Sequence, residues 1–141
     1  MLVGVAAVGG AIATARRLVL RVEGDSMQPA LEAGDFVVVA PRWLRTRPIS
    51  VGRVVVVADP SGRNVIKRVR AIAGGWAELA GEPAIVDKGH VAIEGDNRAS
   101  STDSRTYGSI PLDQISAVVV AAVRRRGSAG RSFAFRLQVW P

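Results

Sequence analysis

Three segments of the chain carry side chains whose types and spacing can do chemistry. The first is GDSMQPALEAGD, Gly24–Asp35, where Ser26 stands between an acid and a methionine, three residues before Pro29. A serine where a strand meets a helical turn exposes its hydroxyl near the unpaired N–H groups of that turn. Those N–H groups can hold an oxyanion, which suits a nucleophile; the same position suits an N-cap. The second segment is NVIKRV, Asn64–Val69. Period-two geometry sends Val65, Lys67 and Val69 to one face and Ile66, Arg68 and Arg70 to the other. An ammonium between two valines loses solvation, its pKa falls, and it can act as a general base; a lysine that snorkels to solvent would do neither. Arg68 cannot serve, because a guanidinium stays protonated. The third segment is GDNRASSTDSRTYG, Gly95–Gly108, dense in turn formers and hydroxyls. It reads as a polar loop, yet Asp103 and Arg105 are spaced for a local ion pair, and Ser101 could hydrogen-bond a buried amine.

The elements that must position these groups are strands. Leu18–Val22, Phe36–Ala40, Arg53–Ala58, Asn64–Ile72, Trp76–Ala80, His90–Asn97, Ile115–Val123 and Phe133–Val139 alternate or run in β-branched residues between Gly, Pro and Asp breaks. Pro41–Ser50 reads as a loop. A helical turn is expected only at Ser26, with Pro29 in its first turn. The result is a mainly-β domain, a barrel or sandwich-like core with a short helical turn at Ser26.

Composition bounds the chemistry. In 141 residues, 48 % hydrophobic and 22 % charged, there is core enough for one domain. No cysteine is present, which excludes thiol nucleophiles and disulfides, and one histidine, His90, excludes a multi-histidine metal site. The net charge of +7 gathers in Arg42–Arg47 and Arg124–Arg131. No reading helix or aromatic-interleaved motif accompanies it, so it reads as a solvated surface and nucleic acid is not an expected partner. Residues 1–17 are apolar up to a closing Arg16–Arg17 pair; 18–123 form the core; 124–141 form a basic segment with a final strand. Met1–Ala15 as a helix would be about 22 Å long, short of the roughly 30 Å of a bilayer core. It suits a short or truncated membrane anchor, an interfacial segment or a buried element.

Taken together and in this order, Ser26-Met27-Gln28-Pro29 with Leu31 and Gly34-Asp35, then VGRVVVVADP, then Lys67-Arg68-Val69, then GDNRASSTDSRTYG resemble the signal peptidase I family of Ser/Lys proteases. The resemblance covers about Val22 to Val123. It implies a mainly-β protease fold with Ser26 as nucleophile and Lys67 as general base. It also implies that Ser101 orients Lys67, that Asp103 and Arg105 pair behind the site, that the Ser26 N–H serves the oxyanion and that Met27 packs beside it. The implied reaction removes N-terminal leader peptides from exported precursors by acyl transfer, on an extended substrate segment, with no metal or cofactor. This agrees with the residue inventory, in which a hydroxyl activated by a desolvated amine is the remaining nucleophile–base pair. The family expectation sets the domain outside the cytoplasmic membrane on one N-terminal anchor, whereas Arg16–Arg17 after the apolar segment favour the cytoplasmic side.

The chain departs from the family pattern in four places. Gly24 stands where some members carry a hydroxyl that completes the oxyanion hole. Arg53 replaces the usual acid, and AIAGGWAEL lacks the Pro-Gly-Asp turn. Only 27 residues separate Lys67 from Gly95, too few for the inserted β domain of longer members. The short core and the charge placement at Arg16–Arg17 leave room for a dedicated maturation protease acting on one partner precursor. A LexA-like self-cleaving regulator is disfavoured, since 25 residues before Ser26 cannot hold a DNA-binding domain.

Overall fold

Four consecutive valines, Val54–Val57, are buried on both faces of the strand they form. Val54 and Val56 enter one core cluster with Val22, Met27, Leu31, Val37 and Val39; Val55 and Val57 enter another with Val69, Val91, Ile93, Ile110 and Ile115. A strand with two dry faces needs no polar alternation, which is why its sequence is a continuous β-branched run. The computed structural model describes residues 18–44, 47–125 and 135–139. The apolar segment 1–17 and residues 126–134 of the basic segment lie outside them.

The strands are β1 (Val19–Arg21), β2 (Phe36–Pro41), β3 (Val54–Ala58), β4 (Asn64–Ile72), β5 (Trp76–Leu79), β6 (Glu82–Ile85), β7 (His90–Glu94), β8 (Ile110–Pro111), β9 (Ile115–Arg125) and β10 (Phe135–Val139); α1 (Ser104–Tyr107) is a single turn. All pairings are antiparallel, in the order β1-β2-β9-β3-β4-β7-β8, with β10 also on β9. Register shifts at Val38/Val39, Val56/Val57 and Val69/Ala71 add local twist, and the sheet curls into a half-barrel. The mainly-β expectation therefore holds. β9 runs on through Arg125, two residues past the expected end of the core.

Two local differences from the sequence reading have plain causes. Pro41–Ser50, read as a loop, includes a 3-10 turn at Arg42–Leu44. Glu82–Ile85 contains Pro83, which argues against a strand, but among the described residues β6 pairs only with β5, so a missing N–H is harmless there. The β5–β6 hairpin closes through Ala80 and Gly81, with φ of 51° and 87°, a pair of left-handed residues that a two-residue hairpin requires.

The helical turn expected at Ser26 is a run of turns with one α-type hydrogen bond, from the Leu31 N–H to the Met27 carbonyl at 2.9 Å, and one of 3-10 type, from the Gln28 N–H to the Asp25 carbonyl at 3.2 Å. A helix does not propagate because its acceptors are engaged elsewhere: the Asp25 and Ser26 carbonyls receive hydrogen bonds from Asn97, and Pro29 has no N–H to give. Met27 and Leu31, 2 % and 0 % exposed, plug this turn into the core, roughly 1.5–3 kcal/mol of burial each.

Candidate active site

Ser26 lies just after β1, in a loop whose neck is closed by two backbone hydrogen bonds, Val22 N–H to Asp35 carbonyl at 2.8 Å and Gly34 N–H to Val22 carbonyl at 2.9 Å. Gly24 turns the chain with φ of 74°, in the left-handed region that favours glycine. Gln28 folds back on Asp25, Nε2 to Oδ1, at 2.9 Å. Across the loop, the Asn97 N–H donates to the Ser26 carbonyl at 2.9 Å and its side-chain amide to the Asp25 carbonyl at 3.1 Å. Ser26 is half-buried, and among the described residues its N–H has no acceptor. The N–H available to an oxyanion thus belongs to a turn, not to the helix start expected from sequence.

Lys67 is on β4, opposite Val55 of β3, and only 4 % exposed. The burial of β4 alternates through Lys67, Val69 and Ala71, so the lysine takes the dry face. Its Nζ donates to Ser101 Oγ at 2.9 Å, and Ser101 Oγ donates to Asp103 Oδ2 at 2.6 Å. A hydroxyl has one proton, and an ionised carboxylate can only accept. The Ser101 proton therefore goes to Asp103, and Ser101 must accept from Lys67. A neutral Lys67 oriented this way keeps its lone pair for another partner.

Asp103, 0 % exposed, is saturated. Besides Ser101 it accepts from the Gly95 N–H at 2.8 Å, from the Arg105 N–H at 3.2 Å, and from Arg105 Nε and Nη2 at 2.9 and 2.6 Å. Burial pushes its pKa up, but Arg105, Ser101 and the backbone donors outweigh this and hold it below the ordinary carboxylate value. Burial likewise pulls Lys67 below the ordinary lysine value. The Asp103 charge opposes that shift and the Arg105 charge assists it, so the guanidinium offsets the carboxylate and desolvation dominates.

Gly95 joins the two halves. A Cβ there would collide with the Ser101 side chain and with the Ser26 carbonyl oxygen. Next to it, Arg68 grips Asp96 through two hydrogen bonds of 2.8 and 2.7 Å and reaches the Gly52 carbonyl at 2.8 Å, fixing the loop to β4. Ser26, Met27, Gly24 and Lys67 all line one cleft of about 400 Å³, with Leu20–Glu23 on one side and Asn64–Ile66 on the other. Both sides are strand edges: β1 pairs only with β2, and Asn64–Lys67 pairs only with β3 among the described residues.

The structure thus brings Ser26, Met27, Gly24 and Lys67 to one cleft and stands Ser101, Asp103 and Arg105 in series behind Lys67. Gly24 has no atom within 4 Å of where a Cβ would sit, so the place of a side-chain oxyanion donor is open space. Sequence reasoning gave no role to Asn97, to Gly95 as a contact point, or to Ser104, whose buried hydroxyl accepts from the Ile93 N–H at 2.8 Å. All three lie in the quoted Gly95–Gly108 segment, whose density in turn formers was the signal.

Comparison with known proteins shows what the chain is similar to. The family model described as signal peptidase, peptidase S26, matches residues 1–81 and 75–123. Mitochondrial inner membrane protease subunit 1 of Schizosaccharomyces pombe is 39 % identical over 108 residues, 71 % of this chain and 69 % of that protein. Mitochondrial ATP-independent inner membrane protease subunit 1a of Arabidopsis thaliana is 36 % identical, over 67 % of this chain and 62 % of its own length. Mitochondrial inner membrane protease subunit 2 of Danio rerio is 38 % identical, over 67 % and 57 %. Each match leaves roughly a third or more of the relative's length outside it.

Proposed function

We propose that this chain, which belongs to the signal peptidase family, peptidase S26, and is a serine-type peptidase, removes N-terminal leader peptides from precursor proteins with a Ser26/Lys67 dyad. The observation that carries the dyad is the buried series Lys67–Ser101–Asp103–Arg105 ending at a cleft that Ser26 also lines. Neutral Lys67 takes the proton from Ser26 Oγ as it attacks the peptide carbonyl. The Ser26 N–H holds the oxyanion. Lys67 then protonates the leaving amine and activates the water that releases the acyl group. Ser101 aims Lys67, Asp103 aims Ser101, and Arg105 neutralises Asp103 so that Lys67 stays deprotonated more readily. Met27 fixes the turn from below. The substrate lies extended along the free edges of β1 and of Asn64–Lys67, adding main-chain hydrogen bonds.

Residues 1–17 serve as the membrane anchor, and the 18–125 core acts at the outer surface of that membrane. Among the described residues no helix is long and apolar enough to cross it. The likeness to inner membrane protease subunits supports the membrane setting. The short core and the Arg16–Arg17 pair support a second reading, a protease dedicated to one partner precursor. Protein N-termini compared by mass spectrometry between cells carrying the wild type and Ser26→Ala separate the two readings. Many changed exported proteins indicate general processing, and one or two indicate a dedicated protease. No change contradicts both.

A further inference from the structure

The basic run at the end of β9 reads as a solvated surface, yet its first member faces the nucleophile loop. Arg124 Nη2 donates to the Pro29 carbonyl at 2.6 Å, across 95 residues of sequence. The same nitrogen is 3.5 Å from Glu32 Oε1, and Nε is 3.7 Å from Asp35 Oδ2. Asp35 is buried and also accepts the Glu32 N–H at 3.0 Å. The guanidinium is therefore fastened to the wall of the loop while it holds a carbonyl three residues beyond Ser26. Asn97 holds the carbonyls of Asp25 and Ser26, and Met27 and Leu31 are buried beneath the turn.

We propose that Arg124 is a positioning residue for the nucleophile: it completes a clamp that fixes where Ser26 Oγ points. This rests on the reading of Ser26 as nucleophile. The Glu32 side chain is 62 % exposed, so that ion pair adds little global stability, and the contact with the buried Asp35 is long, at 3.7 Å. Geometry is different, since a displacement of about 1 Å at a reacting group can cost about 10²-fold in rate. The role therefore predicts a rate loss out of proportion to any stability loss.

The test uses the full chain, a leader-peptide substrate, and the variants Arg124→Met, which keeps the aliphatic stem and removes every donor, and Arg124→Lys, which keeps one. Arg124→Met lowers kcat about 10- to 100-fold with KM little changed, Arg124→Lys recovers most of the loss, and the pH at which activity rises does not move, because Lys67 is untouched. Amide hydrogen exchange in Arg124→Met is faster at Leu31 and Asn97 and unchanged in β3 and β4. Turnover that survives Ser26→Ala overturns the nucleophile reading. Ser26-dependent turnover that Arg124→Met leaves intact overturns only the role of Arg124. A kcat loss with exchange unchanged at Leu31 and Asn97, or raised equally through β3 and β4, overturns it as well.

Discussion

The two halves of the cleft are built by different physics. On the Lys67 side almost everything is side chain: an amine on a dry strand face, a hydroxyl, a carboxylate saturated with the help of two backbone N–H groups, and a guanidinium, each fixed by the next. On the Ser26 side almost everything is backbone: a turn with one α-type hydrogen bond, whose carbonyls are held by Asn97 and Arg124. The first half tunes a proton affinity, for which charge and burial are the levers. The second half aims a hydroxyl, for which only position matters. Mutations on the Lys67 side should therefore move pH profiles, and mutations on the Ser26 side should lower rates without moving them.

The largest expected effect tests the tuning itself. Lys67→Met should lower kcat by about 10³-fold, within the range for a lost general base, and should raise the thermal midpoint at neutral pH. The sign follows from linkage. With its folded pKa below 10.5, Lys67 binds fewer protons in the folded than in the unfolded chain, so wild-type stability climbs as pH rises from the folded value towards 10.5. Methionine removes that dependence and the desolvation cost behind it. A variant less stable than wild type, measured by calorimetry from pH 7 to 10, would count against a desolvated amine.

Next comes the residue where the halves touch. Gly95→Ala must displace both Ser101 and the Ser26 carbonyl relative to residue 95; a loss of about 1–3 kcal/mol in stability and about 10²-fold in kcat is expected from denaturant melts and peptide cleavage. Wild-type behaviour would show that the close packing at Gly95 has no bearing on either half.

Arg105→Gln comes third and belongs to the tuning side. With the guanidinium gone, the Asp103 charge acts on Lys67 unopposed and its pKa rises. Activity should drop roughly tenfold near neutral pH, the equivalent of about 1.4 kcal/mol, and recover as pH is raised, whereas a flat loss at all pH values would mean that Arg105 only holds the loop together. The smallest effect belongs to the aiming side. Asn97→Ala removes the hydrogen bond to the Asp25 carbonyl but keeps the N–H to Ser26, so kcat should fall about threefold, in line with a net 0.5–1.5 kcal/mol for one hydrogen bond, with the pH profile unmoved. A displaced profile would break the division between the halves.

The same division explains what could be read from the sequence. The Lys67 side was legible because its parts are local: period-two alternation put Lys67 between valines, and Ser101, Asp103 and Arg105 lie within five residues of one another. The strands were legible wherever β-branched runs met Gly or Pro. The Ser26 side was half legible. Its serine stood out, but the turn was read as a helix start, because the acceptors that end it are claimed by residues about 70 and 95 positions away. Arg124 was hidden by its neighbours, since in a run of arginines no pattern distinguishes the one that turns inward. Hairpin β5–β6 escaped because Ala80-Gly81 carries no Asn or Asp to announce the turn.

One measurement reaches the central claim directly. The chain contains two lysines, Lys67 and Lys88, so a protein with isotopically labelled lysine gives two side-chain signals, assigned by Lys88→Arg. Titrated by NMR in the folded Ser26→Ala protein, Lys67 is predicted to lose its proton below the ordinary lysine value of 10.5. Titration of Lys67 at or above 10.5 would contradict the account, for a lysine that stays charged cannot take the proton from Ser26.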